Sequence, residues 1–131
     1  MVKDVIKQLT KILCDENYLQ KLALVEVGIQ DDSMKLICEL FKNNSNLIEI
    51  DLSKTKAKPQ SFLEMMEILK MNKRLRYVNI SNNLLINLDF SCNSSEMLRQ
   101  EQKIIDNLLY FIKRSPSLLH LNISNTGLND N

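Results

Sequence analysis

The stretch LRYVNISNNLL, residues 75–85, has apolar side chains at its first, fourth, sixth and last positions, and LLHLNISNTGL, residues 118–128, repeats the arrangement. The frame of the first stretch is LxxLxLxxNxL, and its apolar positions are filled again in the second stretch and twice more, from Leu19 and from Leu47. Because a short apolar alternation is typical of a strand, each frame predicts one, at residues 22–24, 50–52, 78–80 and 121–123.

The segments between the frames have the spacing of amphipathic helices. Counting back from the first Leu of each frame, apolar residues recur six, seven, ten and thirteen positions earlier, which places them on one face of a helix. These residues are Leu13, Phe41, Leu69 and Ile112; Ile12, Leu40, Ile68 and Phe111; Leu9, Ile37, Met65 and Leu108; and Ile6, Met34, Phe62 and Ile105. Each unit is therefore predicted to run from helix to turn to strand.

Helix caps are also predicted from the residues that precede these apolar stripes. Asp31, Asp32 and Ser33 have the side chains that cap a helix, and Ser61 followed by Glu64 has the spacing of a capping box.

Length and composition favour one repetitive domain. The 131 residues include 22 Leu and 15 Asn but only two Gly and two Pro, and Lys and Arg exceed Asp and Glu by a single charge. A net charge of +1 gives no overall field to attract nucleic acid or an anionic membrane. Any binding site must therefore be local.

With these two periodicities the sequence resembles the leucine-rich repeats of the ribonuclease-inhibitor type. The resemblance implies an α/β solenoid over residues 1–131, a horseshoe with a parallel sheet on its concave side and helices on its convex side. The Asn of the frame is present only as Asn83, and Val27, Thr55 and Thr126 replace it elsewhere. We therefore expect the turns after the strands to be irregular.

The two ends of the repeat array carry no recognisable capping unit. The last frame closes at Leu128, and Asn129, Asp130 and Asn131 have the character of a cap for a further helix. An uncovered parallel edge favours aggregation. We therefore expect this chain to be a segment of a longer array or to be completed by a neighbouring chain.

The strand residues between the apolar positions predict the contact surface. They form a first column of Lys21, Glu49, Tyr77 and His120, and a second of Ala23, Asp51, Asn79 and Asn122. We predict that a protein partner binds Lys21, Glu49, Asp51, Tyr77, Asn79, His120 and Asn122. In the other interpretation, the small polar residues only hydrogen-bond to one another along the sheet.

The third unit is longer than the others, because the frames start 28, 28 and then 43 residues apart. The insertion at about 86–100 has Ile86, Leu88 and Phe90 in alternation, and Ser94 or Ser95 is suited to start the helix that continues to Ile104. Either its apolar side packs under the sheet, or Ile86 and Phe90 dock a partner.

No catalytic, cofactor-binding or metal-binding constellation is predicted. Cys14, Cys38 and Cys92 lack paired spacing and are interpreted as free thiols of a reducing compartment, and His120 is the only histidine. The basic residues form two runs, which are predicted to be a solvated rim rather than a nucleic-acid site, and the first helix matches the core stripe rather than a membrane surface. These runs are Lys54, Lys56 and Lys58, and Lys73, Arg74 and Arg76.

The sequence therefore predicts a non-enzymatic protein–protein interaction scaffold in the cytoplasm. The resemblance implies a range of roles, among them binding enzymes, activating small GTPases, capping actin filaments and building axonemal complexes. Open ends and a neutral charge favour a component of a cytoskeletal or axonemal, that is ciliary, assembly. The alternative is a GTPase-activating or other enzyme-regulating module, acting through Arg76, Asn79 or Asn122.

Overall fold

The computed structural model describes residues 1–14, 18–44, 46–86 and 95–128. Helices and strands alternate along these residues, as the two periodicities predict. The elements are α1 (Val2–Cys14), β1 (Lys21–Ala23), α2 (Asp31–Asn43), β2 (Glu49–Asp51), α3 (Pro59–Leu69), β3 (Tyr77–Asn79), α4 (Ser95–Arg114) and β4 (His120–Asn122).

The four strands form one parallel sheet in the order β1-β2-β3-β4. Each strand begins and ends one residue earlier than predicted. The backbone pairing nevertheless continues past the assigned ends, since Leu24 N donates to Asp51 O at 2.8 Å and Leu52 N donates to Asn79 O at 2.8 Å. The difference thus concerns only where each strand is assigned to begin and end, and not how the strands pair.

The core lies between the sheet and the helices. The central strand residues Leu22, Ile50 and Val78 are paired in register and buried, and they belong to one apolar cluster with helix residues such as Met34 and Phe62. A fully buried side chain of this size stabilises the fold by about 1.5–3 kcal/mol. The sheet therefore has one face in the core, and its other face carries the two columns of polar side chains.

The outer helices depart from the predicted apolar stripe. Ile12 on α1 is 67% exposed and Ile112 on α4 is 61% exposed, although the equivalent Leu40 and Phe41 of α2 are buried. The helices pack side by side in chain order, so that α2 lies between α1 and α3. The helix residue seven positions before the first Leu of each frame, such as Ile12 or Leu40, therefore faces the preceding helix. The residue six positions before that Leu, such as Phe41 or Ile112, faces the following helix. Among the described residues, α1 and α4 have no helix on those flanks.

The turns after the strands are more regular than predicted. Glu26, Lys54, Asn82 and Asn125 occupy the same frame position, and all four have φ between 53° and 58°. This left-handed conformation is costly for residues other than Gly. It recurs because the turn backbones bond one another, as when Glu26 N donates to Ser53 O at 3.1 Å and Asn82 N donates to Ser124 O at 2.9 Å. Backbone pairing compensates for the missing Asn side chains.

The predicted caps at Asp31, Asp32 and Ser61 are wrong. The residue before α2 is Gln30, which makes no side-chain cap, and α3 begins with Pro59, whose fixed φ suits the first helical position. Asp31 and Asp32 instead bond side chains of neighbouring units, and the Ser61 hydroxyl donates to Asp31 Oδ1 at 3.0 Å. Partners one unit away are thus preferred to the local cap.

The insertion is described only in part. Its helix begins at Ser95, as predicted, and α4 is 20 residues long against 13 for α2 and 11 for α3. Ser94, Leu88 and Phe90 lie outside the described residues. Ile86 is 4% exposed within the apolar core cluster. Part of the extra length is therefore an extended helix, and Ile86 packs under the sheet.

Candidate functional site

The candidate site is the open face of the sheet, defined here as the side of the two polar columns. The register pairs Lys21 with Glu49, Glu49 with Tyr77, and Tyr77 with His120, so the predicted first column is a row of true neighbours. The second column is likewise adjacent, because the same pairing aligns the last residue of each strand. Because successive strands pair in parallel, residues that are 28 or 43 positions apart in the sequence lie side by side in the sheet.

The first column divides into an ion pair and an aromatic pair. Lys21 Nζ lies 3.0 Å from Glu49 Oε1, and both side chains are well exposed. The rings of Tyr77 and His120 are stacked, with centroids 5.1 Å apart and planes inclined by 6°. Such a pair gives the β3–β4 half of the face a flat aromatic element beside the charged half.

The second column is a chain of hydrogen bonds. Asn79 Nδ2 donates to Asp51 Oδ2 at 3.0 Å, which links β3 to β2. At the ends of β2, β3 and β4, the serine two residues after the column residue donates its hydroxyl to the same oxygen that accepts its backbone N–H. These donors are Ser53 to Asp51 at 2.7 Å, Ser81 to Asn79 at 2.7 Å and Ser124 to Asn122 at 2.9 Å.

These hydrogen bonds limit what the second column offers to a partner. Asn79 is buried, and its amide nitrogen and oxygen are both engaged within the chain. This arrangement gives Asn79 little freedom to organise a GTPase active site, whereas Arg76 is exposed. The amide nitrogen of Asn122 has no partner among the described residues, and it remains available as a donor at the β4 end of the face.

The serine partners were missed by sequence reasoning, although a signal was present. The tripeptides Asp-Leu-Ser, Asn-Ile-Ser and Asn-Ile-Ser occupy the same position of the second, third and fourth frames. Asp and Asn side chains commonly accept a bond from the backbone two residues ahead. These tripeptides therefore predict that the Asp and Asn side chains of the second column stabilise the turns that follow the strands, in addition to lining the open face.

Ile86 and Phe90 do not add to the open face among the described residues. Ile86 is buried, and its backbone N–H donates to Thr126 O at 3.2 Å. Its side chain is therefore not available to a partner in this conformation, as the packed alternative for the insertion expected. Phe90 lies outside the described residues.

A second set of polar contacts, at the carboxyl ends of the strands and the start of the helices, joins successive units. Lys54 Nζ lies 2.6 Å from Glu26 Oε1, and Lys58 Nζ lies 2.9 Å from Asp31 Oδ2. The bond from Lys54 lowers the pKa of Glu26, and those from Lys58 and Ser61 lower the pKa of Asp31. Two lysines of the run predicted to be a solvated rim are thus ion-paired, although pairs this exposed stabilise little.

No hydrogen bond or ring contact joins His120 to a cysteine among the described residues, and its ring stacks on Tyr77. Cys38 is buried in the core from α2, and burial raises the pKa of its thiol to about 11. No group of three His, Cys, Asp or Glu side chains in the described ranges is placed to hold a metal ion. The helices of the described part include none that is long and apolar enough to cross a bilayer. The arrangement on the open face is suited to hydrogen bonding, stacking and ion pairing with a partner.

Helix-then-strand units that build a parallel sheet with its strands in chain order support a leucine-rich-repeat type of fold. The C-terminal domain of tropomodulin from Caenorhabditis elegans superimposes with a TM-score of 0.67 at 16% identity, covering 96% of this chain and 68% of that one. Actin-binding site 2 of leiomodin-1 gives 0.66 at 18% identity, covering 96% of this chain and 65% of that one.

This chain therefore spans about two thirds of the length of each of those domains. No protein-family model matches the chain, and no curated protein sequence matches it. At these identities the likeness establishes the fold.

Proposed function

We propose that this protein is a non-enzymatic protein-binding module of the actin cytoskeleton. The observation that carries the proposal is the superposition on leiomodin-1 actin-binding site 2 over 96% of this chain. The tropomodulin domain has the same fold over the same share of the chain. Neither structure points to a cilium or an axoneme, and the proposed location is the actin cytoskeleton.

The proposed contact surface is the open face of the sheet. In a leucine-rich-repeat solenoid of the ribonuclease-inhibitor type, this face is the concave one. The stacked rings of Tyr77 and His120 support the proposal, because aromatic side chains supply much of the binding energy in protein interfaces. The ion pair of Lys21 with Glu49 supports it too, as does the amide nitrogen of Asn122, which has no partner among the described residues. Lys21, Glu49, Asp51 and Asn79 would then set shape and register rather than affinity.

Co-sedimentation with actin filaments tests this proposal. We expect the wild-type chain to pellet with filaments, and Tyr77→Ala with His120→Ala to weaken binding by about tenfold, since loss of a well-packed aromatic contact commonly costs more than about 1 kcal/mol. Tyr18→Ala is the matched control, because Tyr18 is 81% exposed but precedes β1 instead of lying on the open face.

Circular dichroism confirms that each variant is folded before its binding is compared. A folded wild-type chain that does not pellet with filaments would overturn the proposal for actin. Equal weakening by the Tyr18 control would overturn the assignment to the open face.

We also propose that a further repeat unit covers β4 in the native assembly. Leu118, Leu121 and Ile123 are only half-buried, whereas Leu47, Ile50 and Leu52 at the same frame positions are fully buried by the next unit. Adding such a unit should remove any concentration-dependent association of the 131-residue chain. Monodisperse monomers of this chain at high concentration, measured by light scattering, would contradict it.

A further inference from the structure

A concentration of positive charge lies where α3 and α4 end. The segment KMNKRLR, residues 70–76, follows the end of α3, the segment KRSPSLL, residues 113–119, includes the last two residues of α4, and neither contains Asp or Glu. Together they carry six cationic side chains on a chain whose net charge is +1. The cations are Lys70, Lys73, Arg74, Arg76, Lys113 and Arg114.

A groove of about 230 Å³ separates the two segments, and we call it the basic groove. Lys70, Lys73 and Arg114 line it together with Tyr110 and Pro116, and no carboxylate of the described residues lines it. Lys70 Nζ lies 5.3 Å from the centre of the Tyr110 ring, a cation–π contact that holds the ammonium at the groove wall. The basic groove thus has an apolar wall and a cationic rim.

Most of the cations that line this groove have no carboxylate partner among the described residues. Some lysines on other surfaces are matched with carboxylates of a neighbouring unit, as in Lys3 with Asp32 and Lys58 with Asp31. At the groove, only Lys70 has a carboxylate partner among the described residues, Glu67 at 3.2 Å. Lys73 and Arg114 are exposed and have none in the ranges the structure describes. The excess charge is therefore free to attract an anion.

We propose that the basic groove binds an acidic segment of a protein partner, with a Glu or Asp carboxylate between Lys73 and Arg114. The methylene stem of the acidic residue would pack on Tyr110 and Pro116. Guanidinium and ammonium groups both bind carboxylates through charge-assisted hydrogen bonds. This surface is separate from the open face, and the proposal does not depend on binding to actin.

A peptide is favoured over a nucleic acid or a lipid headgroup because exposed apolar residues occur in the same two segments as the cations. Met71 follows Lys70 and is 82% exposed, and Leu119 closes the second segment and is 81% exposed. Exposed apolar groups beside charge are suited to a segment that alternates acidic and apolar residues. A phosphate backbone would leave both apolar side chains without a partner.

Fluorescence anisotropy tests the proposal with a labelled six-glutamate peptide and its six-glutamine counterpart as probes. We expect the wild-type chain to bind only the glutamate peptide, and to bind it more weakly as the salt rises from 0.1 M to 1 M, because the Debye length shortens from about 10 Å to about 3 Å. Lys73→Gln with Arg114→Gln should weaken binding by about three- to tenfold, as each exposed ion pair contributes modestly.

The matched control is Lys7→Gln with Lys11→Gln, which removes the same charge from exposed positions of α1. Equal weakening by this control would overturn the proposal, since it would show a response to net charge alone. Binding of both peptides alike would overturn it too, as would no binding by a chain that circular dichroism shows to be folded. Vesicles containing phosphatidylserine provide a further arm. If they bind through Lys73 and Arg114 while the peptide does not, the site is a membrane contact and the proposal is wrong.

Discussion

Replacing Asn83 with Ala tests how strongly one buried side chain joins two repeat units. Asn83 is 2% exposed, and its Oδ1 accepts from Thr55 N at 3.0 Å and from Lys56 N at 3.0 Å. Its Nδ2 donates to Leu52 O at 2.8 Å and to Ile80 O at 3.0 Å. In Asn83→Ala, the backbone N–H groups of Thr55 and Lys56 lose their acceptor and remain between the second and third turns.

Each buried polar group left without a partner costs about 1–3 kcal/mol, so two of them predict a loss of about 2–6 kcal/mol. Domains of this size are commonly stable by about 5–15 kcal/mol. With a urea dependence of about 2 kcal/mol per molar, the unfolding midpoint should fall by about 1–3 M without a change in that slope.

Thr126→Val is the control for this experiment. It removes one bond, from Thr126 Oγ1 to Ile123 O at 2.6 Å within its own unit, and should cost less than about 1.5 kcal/mol. Urea unfolding followed by circular dichroism measures both variants. If Asn83→Ala shifts the midpoint no further than Thr126→Val, the reasoning that this side chain bonds one unit to the next is refuted.

Three further outcomes are expected. At pH 7.5, iodoacetamide should modify Cys38 far more slowly in the native chain than after unfolding, because raising its pKa from 9.0 to about 11 lowers the thiolate fraction about a hundredfold. Peptide mass spectrometry measures the rate of modification, and equal rates in the two states would contradict the burial of Cys38. In urea unfolding, Phe111→Ala should lower the free energy of unfolding by about 3–5 kcal/mol and Ile112→Gln by less than about 0.5 kcal/mol, since Phe111 is buried and Ile112 is exposed. Similar losses in the two variants would contradict the conclusion that Phe111 faces the preceding helix while Ile112 faces no helix of the described residues. Folding lowers the pKa of Asp31 from 3.8, so the stability that its carboxylate contributes is present above that value and is lost as the pH falls through the lower folded pKa. The drop in melting temperature between pH 5 and pH 2.5 should therefore be smaller in Asp31→Asn than in the wild-type chain. An unchanged drop would contradict the pairing of Asp31 with Lys58.

The strand order and the columns of the open face could be predicted from the sequence because they depend on period alone. Once two apolar patterns agree on where each unit starts, Lys21 must lie beside Glu49, and Tyr77 beside His120 in spite of their 43-residue separation. The ribonuclease-inhibitor type of repeat and the longer array remain predictions.

Contacts that depend on side-chain reach between units could not be predicted in the same way. Asp31 fits the local rule for a helix cap, but Lys58, 27 residues later, offers a charged partner at 2.9 Å, and a cap rule that considers one helix cannot include it. The regular turns were missed for a related reason. Their left-handed residues are held by the backbone of the next unit, as where Lys54 N donates to Ser81 O at 3.1 Å, and that contact exists only once the units are stacked.

The two proposed surfaces differ in the physical origin of their affinity. On the open face, Lys21 is already matched by Glu49 and the second column is already hydrogen-bonded, so a partner gains mainly from shape and from the exposed ring of His120. At the basic groove, Lys73 and Arg114 line a space without a carboxylate, so a partner gains mainly from charge. Salt screens exposed charges much more than it affects apolar or aromatic contacts. A protein that held both partners would therefore release the acidic segment first as the ionic strength rises, while its contact through Tyr77 and His120 persisted.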